Sequence, residues 1–105
     1  MKYFIFFIFL IFKSSDTLSK NSWVGKWVAM DKWQSEFFIE VDSNGKASSN
    51  YGNGEVGEWK LQDGNLKIFW KSGKTDYFFN GVMGYQRIRK NKNESYTSGL
   101  RKLSH

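Results

Sequence analysis

Apolar and polar residues alternate with a period of two along most of the chain. The pattern is clearest in residues 54–80, where three short alternating runs are separated by Asp63-Gly64 and Ser72-Gly73. Such alternation is typical of strands with one buried face, and both dipeptides favour hairpin turns because they tolerate positive φ. We therefore predict that residues 54–80 form a β-meander with tryptophans on its inner face.

The same alternation continues on both sides of this meander. Runs at 21–31, 35–41 and 46–51 precede it, and runs at 85–90 and 95–103 follow it, which gives eight candidate strands. Connections are short and no helical period is present in residues 20–105, so neighbours in sequence are expected to pair. The predicted fold is all-β, an antiparallel up-and-down meander of about eight strands closed into a small barrel. Its predicted inner residues are Trp27, Phe37, Ile39, Trp59, Leu61, Ile68, Trp70, Tyr77 and Phe79.

Three phenylalanines, Phe38, Phe69 and Phe78, fall on the opposite alternation from this inner set. In this register they lie on the outer face, where a cluster of phenylalanines flanked by Lys67 and Lys71 would suit a protein or polymer partner. A shift of one residue would reverse the assignment. The three residues are therefore a predicted partner patch in this register.

The N-terminal segment differs from the rest, because Lys2 is followed by ten apolar residues, 3–12, without a charge. A helix of that length spans about 15 Å, half of a ~30 Å hydrocarbon core, which suits the apolar region of a secretory signal peptide. Thr17-Leu18-Ser19 offers small residues for cleavage. We predict a helical signal peptide at 1–19 and a single domain at 20–105, exported to the periplasm or secreted. The alternative is an uncleaved anchor or a buried N-terminal strand.

The distribution of charge predicts a basic surface to which a partner could bind. The chain has a formal net charge of +6, and 20–105 carries +5 because only Lys2, Lys13 and Asp16 precede it. A basic end suits an anionic polymer or lipid surface, or else a solvated edge strand that its charges protect from aggregation. No nucleic-acid partner and no stable membrane span after signal cleavage are predicted. The basic residues of this end are Arg87, Arg89, Lys90, Lys92, Arg101 and Lys102.

Side chains for catalysis or metal binding are sparse. The chain has no cysteine, and its only histidine is the last residue, His105. Disulfides and thiolate ligands are therefore excluded, and the five tryptophans must supply much of the core. The carboxylates Glu36, Glu40 and Glu58 are predicted to lie on a solvent face rather than to converge as an acid–base pair. We predict a non-enzymatic domain without metal or cofactor.

Two short motifs resemble those of a known family. Gly25-Lys26-Trp27 resembles the Gly-x-Trp signature of lipocalins and related calycin barrels, and Thr75-Asp76-Tyr77 resembles an element of a later lipocalin loop. The resemblance implies that Trp27 packs across the closed end of the barrel and that Arg101 lies over it in a cation–π contact. The residues alone also give Trp27 a place in the core and let Asp76 accept hydrogen bonds from turn amides.

An eight-stranded barrel can be filled by side chains or can hold one small ligand. The predicted inner side chains could fill it, which leaves the end of the barrel as the place for a ligand. We expect a binding protein that holds a small apolar or aromatic ligand at this mouth, lined by Trp33, Tyr51 and Tyr85 with Trp70 below. The alternatives are a protein-binding module, such as a periplasmic inhibitor of a protease or cell-wall hydrolase, and a basic domain that adheres to anionic surface polymer.

Overall fold

The computed structural model describes residues 22–104, in which eight strands form one closed antiparallel barrel. Each strand pairs with its neighbours in sequence, and the last pairs with the first. The predicted all-β, up-and-down fold is confirmed, and the predicted signal peptide lies outside the described residues. No helix in this part of the chain is long and apolar enough to cross a bilayer. The strands are β1 (Gly25–Met30), β2 (Glu36–Val41), β3 (Lys46–Ser49), β4 (Glu55–Gln62), β5 (Asn65–Trp70), β6 (Thr75–Gly81), β7 (Gly84–Lys90) and β8 (Ser95–Ser104).

The turn between β4 and β5 shows why the strands pair in this order. Asp63 and Gly64 have φ values of 55° and 81°. Positive φ at both central residues gives a turn whose twist matches that of the flanking strands. The hairpin predicted from Asp63-Gly64 is therefore confirmed.

Alternate loops of an up-and-down barrel lie at the same end. The β1–β2, β3–β4, β5–β6 and β7–β8 loops form one end, which we call the mouth. The segment before β1 and the other three turns form the opposite end, which we call the base. This division decides which side chains can meet at a ligand site.

Aromatic side chains close the base. Trp27 is fully buried, stacks on Trp23 with ring centroids 5.8 Å apart, and meets the edges of Phe78 and Tyr85 at 5.5 and 5.0 Å. The Trp27 Nε1–H donates to the Trp23 carbonyl at 3.0 Å, and the Trp23 Nε1–H donates to the Gly64 carbonyl at 3.0 Å. Both indoles are thus buried with their N–H groups hydrogen-bonded, so burial of their apolar area contributes fully to the stability of the fold.

The cation over Trp27 is Lys102, whose Nζ lies 5.6 Å from the ring centroid. Burial in this position lowers the pKa of Lys102. Arg101, expected in this place, is exposed, and its guanidinium lies 3.8 Å from the Glu36 carboxylate. The prediction for Arg101 is wrong because Lys102 is the residue that pairs with Trp27 across β1 and β8.

The inner face follows the predicted alternation on most strands. Leu61 is partly buried against the core. Phe38 and Phe69 lie on the outer face, each 39% exposed, as predicted. Strands β3 and β4 separate them, so they do not belong to one patch. The predicted inner residues that are buried are Trp27, Phe37, Ile39, Trp59, Ile68 and Trp70.

Strand β6 has the opposite phase. Phe78 is fully buried, whereas Tyr77 and Phe79 are half-buried and stack on each other with centroids 6.1 Å apart. The predictions of an outer Phe78 and of inner Tyr77 and Phe79 are therefore wrong. The phase places Asp76 inside together with Phe78, because side chains two residues apart share a face.

Strands β4 and β5 approach each other so closely at Gly57 that a larger residue should not fit there. A Cβ there would overlap the Phe69 carbonyl oxygen and lie 2.9 Å from the Trp70 Cα, and backbone atoms cannot move aside cheaply. We expect Gly57→Ala to lower the free energy of unfolding by about 1–3 kcal/mol. Thermal denaturation followed by circular dichroism should show a midpoint lower by about 4–8 °C for each kcal/mol.

Gly99 provides the matched control for this substitution. It also lies in a strand, but a Cβ at Gly99 meets no atom within 4 Å. Gly99→Ala should leave stability unchanged or raise it by less than about 1 kcal/mol. Equal losses in the two variants would show that contact with β5 is not what requires glycine at 57.

Candidate functional site

A fully buried carboxylate, Asp76, is the centre of a polar network inside the barrel. Its Oδ1 accepts hydrogen bonds from Arg87 Nη1 at 2.8 Å and from Arg89 Nε at 3.1 Å. Its Oδ2 accepts from Arg89 Nη2 at 2.8 Å and from Trp70 Nε1 at 2.7 Å. The prediction that Asp76 accepts from turn amides is wrong, because the phase of β6 directs it into the barrel.

Arg87 connects this carboxylate to the opposite wall. It is fully buried, and its Nη2 donates to the Met30 carbonyl at the end of β1 and to the Tyr96 hydroxyl of β8 at 3.2 Å. Its guanidinium carbon lies 5.1 Å from the centroid of the Phe37 ring of β2. One side chain therefore links β6 and β7 to β8, β1 and β2 through the interior.

Arg89 extends the network toward the mouth. It is 4% exposed, and its Nη2 also donates to Glu55 of β4 at 2.9 Å. Its guanidinium carbon lies 5.4 Å from the Tyr51 ring centroid. Burial opposes the charged form of Arg89, but the hydrogen bonds and charge of Asp76, followed by those of Glu55, outweigh burial and raise its pKa. Arg89 therefore stays charged.

The sequence interpretation of Arg87 and Arg89 as part of a solvated edge is wrong for both residues. Each points inward from β7, and the barrel is closed, so β7 is not an edge strand. The two guanidinium groups are balanced by the carboxylates of Asp76 and Glu55. Buried charges persist only when they are paired and hydrogen-bonded in this way.

One donor of Arg89 is left over. Arg89 Nη1 is buried and has no hydrogen-bond partner among residues 22–104, and the same is true of Arg87 Nε. A buried donor without a partner is costly, so such a group in a native structure requires an explanation. Arg89 is the more informative of the two because it also lines a cavity.

This cavity lies at the mouth and has a volume of about 160 Å³. Arg89 is the most deeply buried residue of its lining. At the rim, Lys32 Nζ forms an ion pair with Glu94 at 3.1 Å, whereas Lys74 is half-buried and forms no ion pair with any residue of 22–104. Guanidinium, ammonium, amide, phenol and carboxylate groups thus surround a small space. The lining residues are Lys32, Tyr51, Lys74, Arg89, Asn91, Glu94 and Tyr96.

The structure brings together some of the residues predicted to line the mouth. Tyr51 lines the cavity, and Trp70 is buried below it, bonded to Asp76. Trp33 is 76% exposed on the β1–β2 loop with Lys32 Nζ 5.6 Å from its ring centroid. Tyr85 does not lie with them, since it packs on Trp27 at the base.

The Trp33 loop is held by a side chain at its start. Asp31 Oδ1 accepts hydrogen bonds from the backbone N–H groups of Trp33 and Ser35, both at 2.9 Å. Aspartate commonly stabilises turns in this manner. The loop therefore places an exposed tryptophan at the rim without inserting it into the cavity.

The donors of the cavity were not identified from the sequence. Arg87 and Arg89 are two apart on β7 and Asp76 is two before Phe78 on β6, so period-two reasoning could have placed each pair on one face. The pairing of Asp76 with Arg89 across β6 and β7 then joins the charges. The sequence pattern gives no indication that these charged residues lie inside the barrel.

The chemistry of this site is that of a small cavity whose lining is rich in hydrogen-bond donors. Within residues 22–104, no three histidine, cysteine, aspartate or glutamate side chains are grouped as metal ligands. The carboxylates of Asp76 and Glu55 already accept hydrogen bonds from Arg89, and the Glu94 carboxylate, which lines the cavity, is paired with Lys32. The chain was also compared with family models, curated proteins and solved structures, and none of the three comparisons gave a match.

Proposed function

We propose that the protein is a non-enzymatic binding module that holds a small anionic group, such as a carboxylate or a phosphate, in the cavity at the mouth. The observation that carries the proposal is Arg89, a buried guanidinium that lines the cavity while its Nη1 has no partner among the described residues. Hydrogen bonds from a charged donor to an anion are about twice as strong as neutral ones. An anion that reached the Arg89 guanidinium from the cavity would therefore satisfy the donor that the fold leaves over.

The size of the cavity favours a small group. Pockets for drug-sized ligands have volumes of about 300–1,000 Å³, whereas a cavity of about 150 Å³ holds a single benzene ring. At about 160 Å³, the cavity at the mouth is close in size to the one that holds a single ring. A carboxylate, a phosphate or an aromatic acid fits this volume, and the polar lining favours them over the apolar ligand expected from the sequence.

The charges at the mouth also favour an anionic ligand. The carboxylates of Asp76 and Glu55 neutralise the two buried arginines, and Glu94 neutralises Lys32. Lys74 then remains as an unpaired positive charge at the rim among residues 22–104. A positive charge beside a low-dielectric opening raises the local concentration of anions.

The proposal includes export and a lipocalin-like mode of binding. Export is supported by the apolar segment at 3–12, which is typical of a signal peptide. The lipocalin-like mode, in which the loops of one barrel end receive the ligand, is supported by the Gly25-Lys26-Trp27 motif. Isotopic labelling of the exported protein followed by N-terminal sequencing would locate cleavage relative to residue 19.

The binding proposal is tested with a matched pair of probes, benzoate and benzamide, which share a ring and differ in charge. We expect saturable binding of benzoate in isothermal titration calorimetry and no binding of benzamide. Lys74→Gln should weaken benzoate binding about two- to fivefold, because a charge pair near the protein surface contributes about 0.2–1 kcal/mol. Inorganic phosphate, titrated separately, decides whether the site prefers a planar or a tetrahedral anion.

Lys92→Gln is the control for the loss of one positive charge. Lys92 is exposed in the β7–β8 loop, at the same end of the barrel as Lys74, but does not line the cavity. The Lys92→Gln variant should bind benzoate with an affinity within about twofold of that of the parent protein. Equal binding of benzamide and benzoate, or equal losses in the two lysine variants, would contradict an anion site at the mouth.

A further inference from the structure

A second concave surface lies on the outside of the barrel, across strands β3, β4 and β5, and we call it the outer groove. Its volume is about 540 Å³, more than three times that of the mouth cavity. It shares no residue with the mouth cavity. The side chains that define it are Lys46, Val56, Glu58, Lys60, Phe69 and Lys71.

Gly57 of β4 is among the residues that line the groove. A Cβ at this position would meet the Phe69 carbonyl oxygen and the Trp70 Cα, so the backbones of β4 and β5 lie close together there. The Lys71 N–H donates to the Val56 carbonyl at 2.9 Å, which extends the contact past the end of β5. The exposed side chains of Val56 and Glu58 stand on either side of the glycine and line the groove.

Two apolar side chains are exposed in the outer groove. Val56 is 56% exposed and Phe69 is 39% exposed. Single exposed apolar residues are ordinary on protein surfaces, but apolar residues in a concavity rimmed by charge are typical of interaction sites. The pair offers a place for one apolar side chain of a partner.

The charges of the outer groove are strongly unbalanced. Glu58 is already bonded to Lys46 at 3.1 Å. Lys60 and Lys71 form no ion pair with any described residue, and neither does Lys67 at the edge of the groove. Lys60 and Lys67 face each other across β4 and β5, with their Nζ atoms 5.3 and 5.4 Å from the centroid of the Phe69 ring. Like charges in this arrangement repel each other, so a bound anion would relieve the repulsion.

From this combination we propose that the outer groove docks an acidic segment of a partner protein. An apolar side chain of the segment lies between Val56 and Phe69, and carboxylates on both sides of it meet Lys60 and Lys71. A peptide fits better than an anionic polysaccharide, because the two rings of the groove offer little free face to a sugar. Lys60 and Lys67 place their Nζ atoms over the Phe69 ring, and Trp59, which also lines the groove, is only 6% exposed. The ammonium groups near the Phe69 ring also favour carboxylates at that position.

The test uses a short fluorescein-labelled peptide with a Leu-Trp pair flanked by glutamates, titrated with the full chain and followed by fluorescence anisotropy. We expect saturable binding, weakened about fivefold or more by Phe69→Ala and about two- to fivefold by Lys60→Gln. At about 1 M salt, where the Debye length is about 3 Å, part of the affinity should survive because apolar contacts are not screened.

Phe38→Ala is the matched control. Phe38 has the same exposure as Phe69, 39%, and carries Lys26 Nζ 4.5 Å from its ring centroid, but it lies outside the groove. The Phe38→Ala substitution should change the affinity for the peptide by less than about twofold. Equal losses in the two phenylalanine variants, no peptide binding, or binding of polygalacturonate in place of the peptide would each overturn the proposal. Benzoate binding at the mouth is measured separately, so either proposal can fail alone.

Discussion

Asp76→Ala is expected to lower the free energy of unfolding by about 3–5 kcal/mol, a large share of the roughly 5–15 kcal/mol that stabilises a typical domain. The substitution removes a carboxylate that accepts four hydrogen bonds in a site closed to solvent. Arg87 then has no counter-ion, because Asp76 is its only ion-pair partner among residues 22–104. A buried guanidinium without a counter-ion is the physical source of the loss.

Urea denaturation followed by tryptophan fluorescence measures this loss. Domains of this size have slopes of about 1 kcal/mol/M, so the midpoint should fall by about 3 M or more. Trp70 reports directly on the site because its Nε1–H donates to Asp76. Its emission in the native state should therefore change together with stability.

Two further variants separate unpaired charge from loss of packing. Glu55→Gln should cost less than about 2 kcal/mol, since the Glu55 side chain is 11% exposed and Arg89 keeps Asp76 as its counter-ion. The quadruple variant Glu55→Gln, Asp76→Leu, Arg87→Met, Arg89→Met removes the three buried charges together with the Glu55 carboxylate, which would otherwise lose its partner Arg89. It should regain much of the stability lost in Asp76→Ala, as apolar replacement of buried ion groups often does. A quadruple variant as unstable as Asp76→Ala would contradict the unpaired-charge explanation.

Most of the fold could be predicted because its determinants are local. The alternation of Trp59 and Leu61, or of Leu66 and Ile68, fixes which face of a strand is buried. Short connections then leave little choice but pairing between neighbours, and closure by β1 and β8 follows from eight strands of this kind.

Strand β6 was misassigned because its sequence does not alternate. Tyr77, Phe78 and Phe79 are consecutive, so either phase buries an aromatic ring. The choice is made by Asp76, whose inward position is stable only because Arg87 and Arg89 approach it from β7. A contact between side chains on different strands leaves no trace in the periodicity of either strand.

The same reason explains why the mouth could be predicted only in part. Tyr51 and Trp70 were identified as aromatic residues near strand ends, which is a local property. Arg89 and Lys74 were not, because a basic residue near the end of a strand is ordinarily solvated. Only the inward phase of β7 turns Arg89 into a buried donor beside the cavity.

The buried network and the mouth are therefore parts of one arrangement. Asp76 and Glu55 hold the Nε and Nη2 atoms of Arg89, and Tyr51 covers its guanidinium plane. A donor held in this way loses little conformational entropy when it binds a ligand. The stability of the interior and the affinity proposed for the mouth accordingly depend on the same residues.

The second large effect is expected at the base, where Trp27→Ala should lower the free energy of unfolding by about 3–5 kcal/mol. Trp27 is fully buried, and Trp23, Phe78 and Tyr85 all pack on its ring, so its removal leaves a cavity that these rings cannot fill without losing their mutual contacts. The chain has no cysteine and thus no disulfide that would limit the consequences.

Urea denaturation followed by circular dichroism measures the effect of Trp27→Ala without depending on the fluorescence of the lost indole. Trp33→Ala is the control, because Trp33 is 76% exposed and its loss should change stability by less than about 0.5 kcal/mol. Trp27→Phe should fall between the two, since it keeps a ring in the base but loses the hydrogen bond to the Trp23 carbonyl. If Trp27→Ala and Trp33→Ala proved equally stable, the packing of Trp27 against the other rings of the base would not be a major source of stability.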